Sequence, residues 1–210
     1  MGDLYVTSLL TDNQGYIYVD YQTNDVMVDK NAGPYNDGFI YAGNSAAKYH
    51  MGWRNNFSWK NINVAFLVSA RLGGVVFSRT QAVLDNFGVS EASAAARDKG
   101  YVSVNGNDRV NPEGWYSVVA GGTAVPQYYI YSATNIRLQE ASIGYTIPRK
   151  WLGNVCDIKV SLIGRNLWMI YNKAPFDPES VASTDNFYQG IDYFMMPSLR
   201  NIGFNLSFKF

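Results

Sequence analysis

The sequence has few of the residues from which catalytic and metal sites are built. It contains one cysteine, Cys156, and one histidine, His50, among 210 residues. A single cysteine excludes an internal disulfide and a cysteine-based zinc site within this chain. Only 16% of the residues are charged, against about 25% in an average soluble domain. The chain is therefore weakly charged and offers little material for thiol or metal chemistry.

Net charge and long apolar runs are also absent. Lys and Arg number 17 and Asp and Glu also number 17, so the sequence presents no basic excess for nucleic acid. No run of about 18 apolar residues occurs, which excludes a transmembrane helix. The start, Met1–Asp3, has neither the basic region nor the apolar region of a signal peptide. If the protein is exported, we expect this chain to be a mature product or a fragment of a longer one.

Aromatic residues and alternating strands are plentiful. Aromatics make up 15% of the chain, which also has 19 glycines. The last residues alternate large apolar side chains with small or polar ones, and the apolar set is Ile202, Phe204, Leu206, Phe208 and Phe210. Period-two alternation predicts a strand with one apolar and one polar face. A strand that ends on an aromatic residue is typical of the closing strand of an outer-membrane β-barrel. An edge strand of a soluble sandwich is the alternative.

Two further regions carry the same alternation. Residues 49–59 and 62–72 predict a hairpin, because only Lys60 and Asn61 separate them. Residues 134–147 predict a strand whose frame changes by one near Gln139–Glu140, which indicates a β-bulge. Pro148 ends it, and a strand with alternating Ile158, Val160 and Leu162 follows, to about residue 168.

The connections alternate between short and long. Residues 60–61 and 148–155 are short, whereas 73–133 and 169–197 are long. Outer-membrane barrels combine short periplasmic turns with long extracellular loops. We therefore predict an all-β chain that supplies strands of a large antiparallel transmembrane β-barrel. Its segments are 1–47, mostly extracellular loop and hairpin; 48–72, hairpin; 73–133, extracellular loop; 134–168, hairpin; 169–197, extracellular loop; and 198–210, terminal strand.

Some local structure is predicted inside the long segments. Tyr16–Tyr21 and Asp25–Lys30 predict a hairpin. Thr80–Phe87 and Ser90–Lys99 predict two short helices, with Ser90 as an N-cap and with Gly88 and Gly100 just beyond the helix ends.

Several short motifs resemble those of the SusC/RagA family of TonB-linked outer-membrane transporters. The most specific is Asn135–Glu140 followed by Ile143–Pro148, and the next is Gly164–Leu167. The others are Gly2–Tyr5, Asp12–Gly15, Gly43–Asn44, Gly73–Gly74, Ala96–Gly100, Asp177–Glu179 and Met196–Arg200. The resemblance covers essentially the whole chain, in the order of the family's C-terminal part. Two motifs depart from the family's usual pattern. The run Asp12–Gly15 stands where the family has a more acidic run, and Ser45–Ala47 stands where it usually has Asn-Pro. Both departures weaken the prediction of a cation site in that loop.

The resemblance implies a barrel of about 22 strands with a plugged lumen. It also implies an N-terminal plug, a segment that contacts the TonB complex, and a SusD-like surface lipoprotein that caps the outer face. These parts together cannot fit in 210 residues, and five to eight strands are too few to close around a plug. The chain is thus expected to be the C-terminal third or less of an importer of oligosaccharide or peptide nutrients in the bacterial outer membrane. It would form barrel wall and outer loops, in contact with the rest of the transporter and with lipid.

No catalytic constellation is predicted, and we expect neither an enzyme nor a bound cofactor or metal. His50 is the only histidine, and no Gly-x-Ser-x-Gly turn occurs. Asp177 and Glu179 could act as an acid/base pair, but a polar loop with a structural motif is the preferred interpretation. Gly121–Gly122 does not follow the strand-to-helix pattern of a phosphate site.

The candidate functional residues are therefore those predicted to contact lipid, a substrate or a lid protein. The predicted lipid-facing set is Ile62, Val64, Phe66, Val68, Ile202, Phe204, Leu206, Phe208 and Phe210. Trp115, Tyr116, Phe187 and Tyr188 lie in the middle of predicted loops and are candidates for contact with substrate or lid, with packing inside the loop as the default alternative. Tyr128, Tyr129 and Tyr131 are predicted to belong to an interfacial aromatic girdle. Two alternatives to a transporter fragment stay open: a soluble or secreted β-sandwich that binds a ligand, or a small passive porin. The sequence does not identify a substrate.

Overall fold

The computed structural model describes residues 2–106, 108–121, 125–153, 155–182 and 189–209. The strands are β1 Asp3–Val6, β2 Val19–Asp20, β3 Asp25–Val26, β4 Ile40–Asn44, β5 Tyr49–Trp59, β6 Ile62–Leu72, β7 Val75–Ser78, β8 Val102–Val104, β9 Asp108–Val110, β10 Ile130–Ser132, β11 Asn135–Ile147, β12 Asp157–Asn172, β13 Ile191–Asp192 and β14 Asn201–Lys209. The helices are α1 Arg79–Asn86, α2 Glu91–Lys99 and α3 Pro112–Ala120, with 3₁₀ turns at Pro126–Tyr129 and Arg149–Leu152.

The chain divides into two compact units. The loop unit comprises residues 1–46, 75–131 and 181–195, and the sheet unit comprises 47–74, 132–180 and 196–210. The loop unit therefore gathers most of the three stretches that the sequence predicts to be extracellular. No helix among the described residues has both the length and the apolar character needed to cross a membrane.

The sheet unit is built on one five-stranded antiparallel sheet in the order β14-β12-β11-β6-β5. Sequential strands are neighbours, as in a barrel wall that meanders up and down. The predicted hairpin is confirmed, since Trp59 pairs with Ile62 and Lys60 takes the positive φ of a tight turn. β12 continues to Asn172, beyond the predicted end at residue 168, and β14 begins at Asn201 rather than 198.

The β-bulge predicted near Gln139–Glu140 is present. The register of β11 shifts between Leu138 and Glu140 against both neighbours, β6 and β12. Because one residue is added to one strand, the side-chain frame changes at that point. The bulge keeps Leu138 and Ala141 on the same face although they are three residues apart. Without it, the second half of β11 would point its apolar side chains to the wrong face.

The loop unit has its own small hydrophobic core, composed of Leu9, Val19, Val26, Ala82, Val104, Val110, Val119, Ala120, Val125 and Tyr129. Both predicted helices are confirmed. The Ser90 hydroxyl accepts from the Ser93 N–H at the start of α2, and Gly100 ends that helix at φ 82°. Helix α3 is not predicted from the sequence; at its start the Asn111 side chain accepts from the Glu113 N–H, and Pro112 occupies the first turn. The hairpin predicted near residues 16–30 is present in shorter form, as β2 and β3.

Candidate functional site

The five-stranded sheet has one apolar and one polar face. Residues directly opposite on paired strands point to the same side, and one such row consists of Phe57, Val64, Ile143, Leu162 and Phe204. The neighbouring rows on this face contain the other residues that were predicted to face lipid. The full described set is Ile62, Val64, Phe66, Val68, Ile202, Phe204, Leu206 and Phe208. Phe210 lies outside the described residues.

This apolar face is exposed. Trp53 retains 63% of its accessible surface and Phe204 retains 82%. In a soluble sandwich a second layer would cover such side chains. A contiguous exposed apolar surface of this kind marks contact with a membrane or another protein.

Aromatic side chains mark both ends of the apolar face. Trp59 and Tyr145 lie in the row beside the tight turn, while Tyr49, Trp168 and Tyr171 lie toward the other end. The ten residue steps from Tyr49 to Trp59 span about 33 Å along the strand at roughly 3.3 Å each. With a strand tilt of about 40°, this corresponds to a height of about 25 Å, the height of the apolar band of outer-membrane barrels.

The opposite face of the sheet is polar and carries a ladder of charges. Glu140, next to the bulge, lies 3.7 Å from Arg54 of β5 and 3.3 Å from Arg165 of β12. The Glu140 carboxylate thus faces two guanidinium groups, in a cluster that extends over the four strands from β5 to β12. Both arginines are more than half exposed, so each pair contributes at most about 1 kcal/mol.

Three of the sequence motifs meet in one buried ion pair within the sheet unit. Arg137, from β11, donates to Asp177 at 2.8 Å and lies 3.2 Å from Glu179, and it also donates to the Ser198 hydroxyl at 3.2 Å. The side chains of Arg137 and Asp177 are only 6% and 8% exposed. Asp177 in turn accepts from the N–H and the hydroxyl of Ser198. The cluster ties the segments 173–180 and 196–200 to β11, and a cavity of about 280 Å³ lies beside it.

The Asp177 carboxyl is held in its ionised form. Burial alone would raise its pKa, but hydrogen bonds from the Ser198 hydroxyl, the Glu179 N–H and Arg137, together with the Arg137 charge, hold the pKa below its ordinary value. An acid that must exchange protons is not built in this way. The structure therefore supports the interpretation of Asp177 and Glu179 as a structural motif.

Local packing and backbone geometry also explain the residue types of the Gly164–Leu167 motif. A Cβ atom at Gly164 would lie 2.5 Å from a methyl group of Leu167. Asn166 takes a positive φ of 51°, and its side-chain N–H donates to the Leu199 carbonyl at 3.1 Å. The motif lies where the register of β12 against β11 shifts, and it attaches β12 to the segment before β14.

The loop aromatics fall into different environments. Trp115 packs against the core of the loop unit and meets Tyr128 edge to face at 5.6 Å. Tyr116 lines a cavity instead. Phe187 and Tyr188 lie outside the described residues. Trp115 and Tyr116 are the two contact candidates that the structure describes; both are half-buried, and Tyr116 is the one that lines this cavity.

The girdle prediction for Tyr129 is wrong. Its ring is 4% exposed within the core of the loop unit, and its hydroxyl donates to Asp85 at 2.8 Å. Burial, and then the hydrogen bond and charge of Asp85, raise the pKa of Tyr129 far above its ordinary value. Tyrosines clustered above a strand resemble a girdle in sequence, but here the 3₁₀ turn directs this ring inward. Tyr128, which contacts Trp115, also serves the packing of the loop unit.

Tyr129→Phe tests this assignment. The substitution keeps the ring and leaves the buried Asp85 carboxylate with one donor fewer, so we expect a loss of about 1–3 kcal/mol in the local stability of the loop unit. Amide hydrogen exchange of α1 and α3 measures it. Tyr128→Phe is the matched control, and an equal effect at both positions contradicts the buried role of the Tyr129 hydroxyl.

The comparisons with known proteins come from a curated sequence and from solved structures. The chain is 25% identical over 185 residues to the TonB-dependent receptor P3 of Formosa agariphila, a match that covers 80% of this chain and 17% of that protein. It is similar in fold to a chain of the RagAB peptide transporter, with a TM-score of 0.69 and 15% identity, over 99% of this chain and 22% of that one. A "closed-closed" structure of the RagAB peptide importer matches with a TM-score of 0.67 and 16% identity, over 98% of this chain and 23% of that chain. No protein-family model matches.

These similarities establish the fold to which the chain belongs. The sheet and the loop unit have the fold of part of a TonB-dependent transporter, and the chain spans about a fifth of the length of the proteins that it matches. The particular resemblance predicted from the motifs, to part of a SusC/RagA transporter, is confirmed at this level, whereas its placement in the C-terminal part stays a prediction. The similar proteins are receptors and transporters rather than enzymes.

Proposed function

We propose that this chain forms wall strands and outer loops of a TonB-dependent importer in the bacterial outer membrane, which takes up oligosaccharide or peptide nutrients. The single observation that carries the proposal is the exposed apolar face bounded by aromatic rows, opposite a polar face on the same sheet. Lipid would cover the apolar face, and the polar face would line the lumen. The chain would act without cofactor or catalysis.

The remaining parts of the transporter would lie elsewhere in the protein. A five-stranded sheet has two edge strands, here β5 and β14. Unpaired backbone groups are not tolerated in the hydrocarbon region, so these edges must be paired with further strands. This requirement disfavours a small passive porin. The plug, the remaining barrel strands and the TonB contact are assigned to those other parts, and a SusD-like lipoprotein is the proposed outer lid.

Whole-cell labelling tests the proposed topology. The impermeant maleimide reagent should react with a cysteine at Asp98, exposed at the end of α2, because the loop unit is proposed to face outward. A cysteine at Lys60, exposed in the tight turn, should react only after the outer membrane is opened. Native Cys156 is first replaced by serine in both variants. Labelling at Lys60 in intact cells reverses the topology.

Uptake tests the transport function itself. Deletion of the gene should abolish growth on a particular oligosaccharide or peptide as sole carbon source, and growth should return with the intact gene. A strain that also lacks TonB should show the same loss, since import in this class depends on that complex. Normal growth of the deletion strain on every oligosaccharide and peptide tested contradicts the proposal.

A further inference from the structure

A cavity of about 330 Å³ lies among the three helices of the loop unit. The C-terminal end of α1 contributes Asp85 and Phe87, α2 contributes Arg97, and α3 contributes Glu113 and Tyr116. We infer that this cavity binds a positively charged alkylammonium group, such as a lysine side chain or the free N-terminus of a peptide. The inference rests on the proposed function in one respect: the cationic group is taken to belong to a solute that the protein imports.

The first reason is the state of Asp85. This residue is 5% exposed, and its carboxylate accepts from the Gln81 side-chain amide and from the Tyr129 hydroxyl, each at 2.8 Å. Both donors are neutral. Among the residues that the structure describes, no Lys or Arg forms an ion pair with Asp85. A buried carboxylate is normally paired with a cation, and Asp85 has two hydrogen-bond donors but no cation within ion-pair distance among the described residues.

The buried aspartate of the sheet unit shows the contrast. Asp177 is similarly buried, but Arg137 lies directly against it at 2.8 Å. The chain thus compensates one buried carboxylate with its own arginine and leaves the other beside a cavity.

The other cavity groups suit an organic cation. Glu113 adds a second, exposed carboxylate at the start of α3. Tyr116 presents an aromatic ring, to which cations are attracted by the ring quadrupole. Burial raises the pKa of the Tyr116 phenol and the Asp85 charge raises it further, as expected for a ring in a negative environment. Arg97 also lines the cavity, and its guanidinium is engaged with the Gly88 carbonyl.

The charge of the whole loop unit acts in the same direction. Its residues include thirteen Asp and Glu but only five Lys and Arg, although the complete chain is neutral. The unit therefore carries a net charge of about −8, and such a field raises the local concentration and the association rate of cationic ligands.

The size of the cavity favours an alkylammonium group over a bare metal ion as the ligand. At about 30 Å³ for each water, its volume corresponds to roughly ten water molecules, which is far more than one metal ion fills. No group of three or more His, Cys, Asp or Glu suited to a metal occurs among the described residues. An aliphatic stem with a terminal charge fits both the volume and the ring.

Calorimetric titration of the purified full-length protein in detergent tests the inference with three tripeptide amides, two of which are also acetylated at the N-terminus. The first is N-acetyl-Gly-Lys-Gly-amide, the second replaces Lys by uncharged norleucine, and the third is Gly-norleucine-Gly-amide with a free N-terminus. We expect the lysine peptide to bind at least about tenfold more tightly than its norleucine counterpart. Tighter binding of the third peptide than of the second would identify the N-terminal ammonium as an equally good source of the charge.

Matched variants locate the site. Glu113→Gln should weaken binding of the lysine peptide about tenfold, and Asp85→Asn should remove its advantage over norleucine. Because Asp85→Asn could disturb folding, the exposed Glu113 is the decisive position. Glu91→Gln makes the same change in charge on the exposed start of α2, outside the cavity, and should leave binding within about twofold.

Three outcomes overturn the inference: equal affinity for the lysine and norleucine peptides, equal effects of Glu91→Gln and Glu113→Gln, or complete displacement of the lysine peptide by millimolar Mg²⁺. Because binding is measured on purified protein, it does not depend on transport. Loss of uptake with intact binding would contradict the transporter proposal alone, whereas intact uptake without binding would contradict only this site.

Discussion

Replacement of Asp177 by alanine is expected to release the segments at 173–180 and 196–200 from β11, with a loss of about 3 kcal/mol in the free energy that holds them against this strand. The reason is that the buried Arg137 would lose its shorter ion pair and keep only the pair with the more exposed Glu179 carboxylate. Amide hydrogen exchange of these two segments in the detergent-solubilised transporter measures the effect. The matched control is Asp157→Ala, which breaks a half-exposed pair with Arg149 and should cost about 1 kcal/mol or less.

A double-mutant cycle separates the ion pair from the loss of packing. The double variant Arg137→Met with Asp177→Ala should be less destabilised than the two single variants predict by addition, because no buried charge is left alone. Additive effects would show that the two side chains contribute independently and would contradict the proposed pair.

The lowered pKa of Asp177 gives this contribution a defined dependence on pH. Since the native pKa lies below the ordinary value of 3.8, the unfolded carboxyl binds a proton first as the pH falls. The stabilisation is therefore complete at neutral pH and is lost as the pH falls below the ordinary value toward the native one. Asp177→Asn should show no such loss in this window.

The strands and their faces could be predicted from the sequence because period-two alternation is a local signal. Residues 49–72 carry it without interruption, and even the bulge at Gln139 was visible as a change of frame. The pairing of Arg137 with Asp177 was not visible, since forty positions separate them and neither motif indicates the other. Only the register of β11 and the bend after β12 bring the two together.

The loop unit was the least predictable part for a related reason. Its core is made from many short elements, and the small valines and alanines of this core show no long period. Trp115 and Tyr116 are adjacent in sequence, yet helix α3 turns the first toward the core and the second toward the cavity. Asp85 had no signal at all, because a single aspartate in a short helix is normally an exposed residue.

Replacement of Leu206 by arginine is expected to destabilise the folded protein by about 1–3 kcal/mol in a lipid bilayer, the cost of placing this side chain within the apolar band. Leu206 pairs with Val160, in the middle of β14, and its side chain lies on the apolar face. A guanidinium there would have to leave water for lipid. Reversible unfolding of the full-length transporter in vesicles with urea measures the loss.

Asn205→Arg is the matched control for this prediction, since it introduces the same side chain one position away on the same strand. Asn205 pairs with Ser161 and therefore lies on the polar face, where an arginine would keep access to water. We expect a change of about 0.5 kcal/mol or less there, in the range of ordinary surface substitutions. Equal losses at the two positions would mean that lipid does not cover the apolar face, and the wall assignment of all five strands would fail with it, because a single register links their faces.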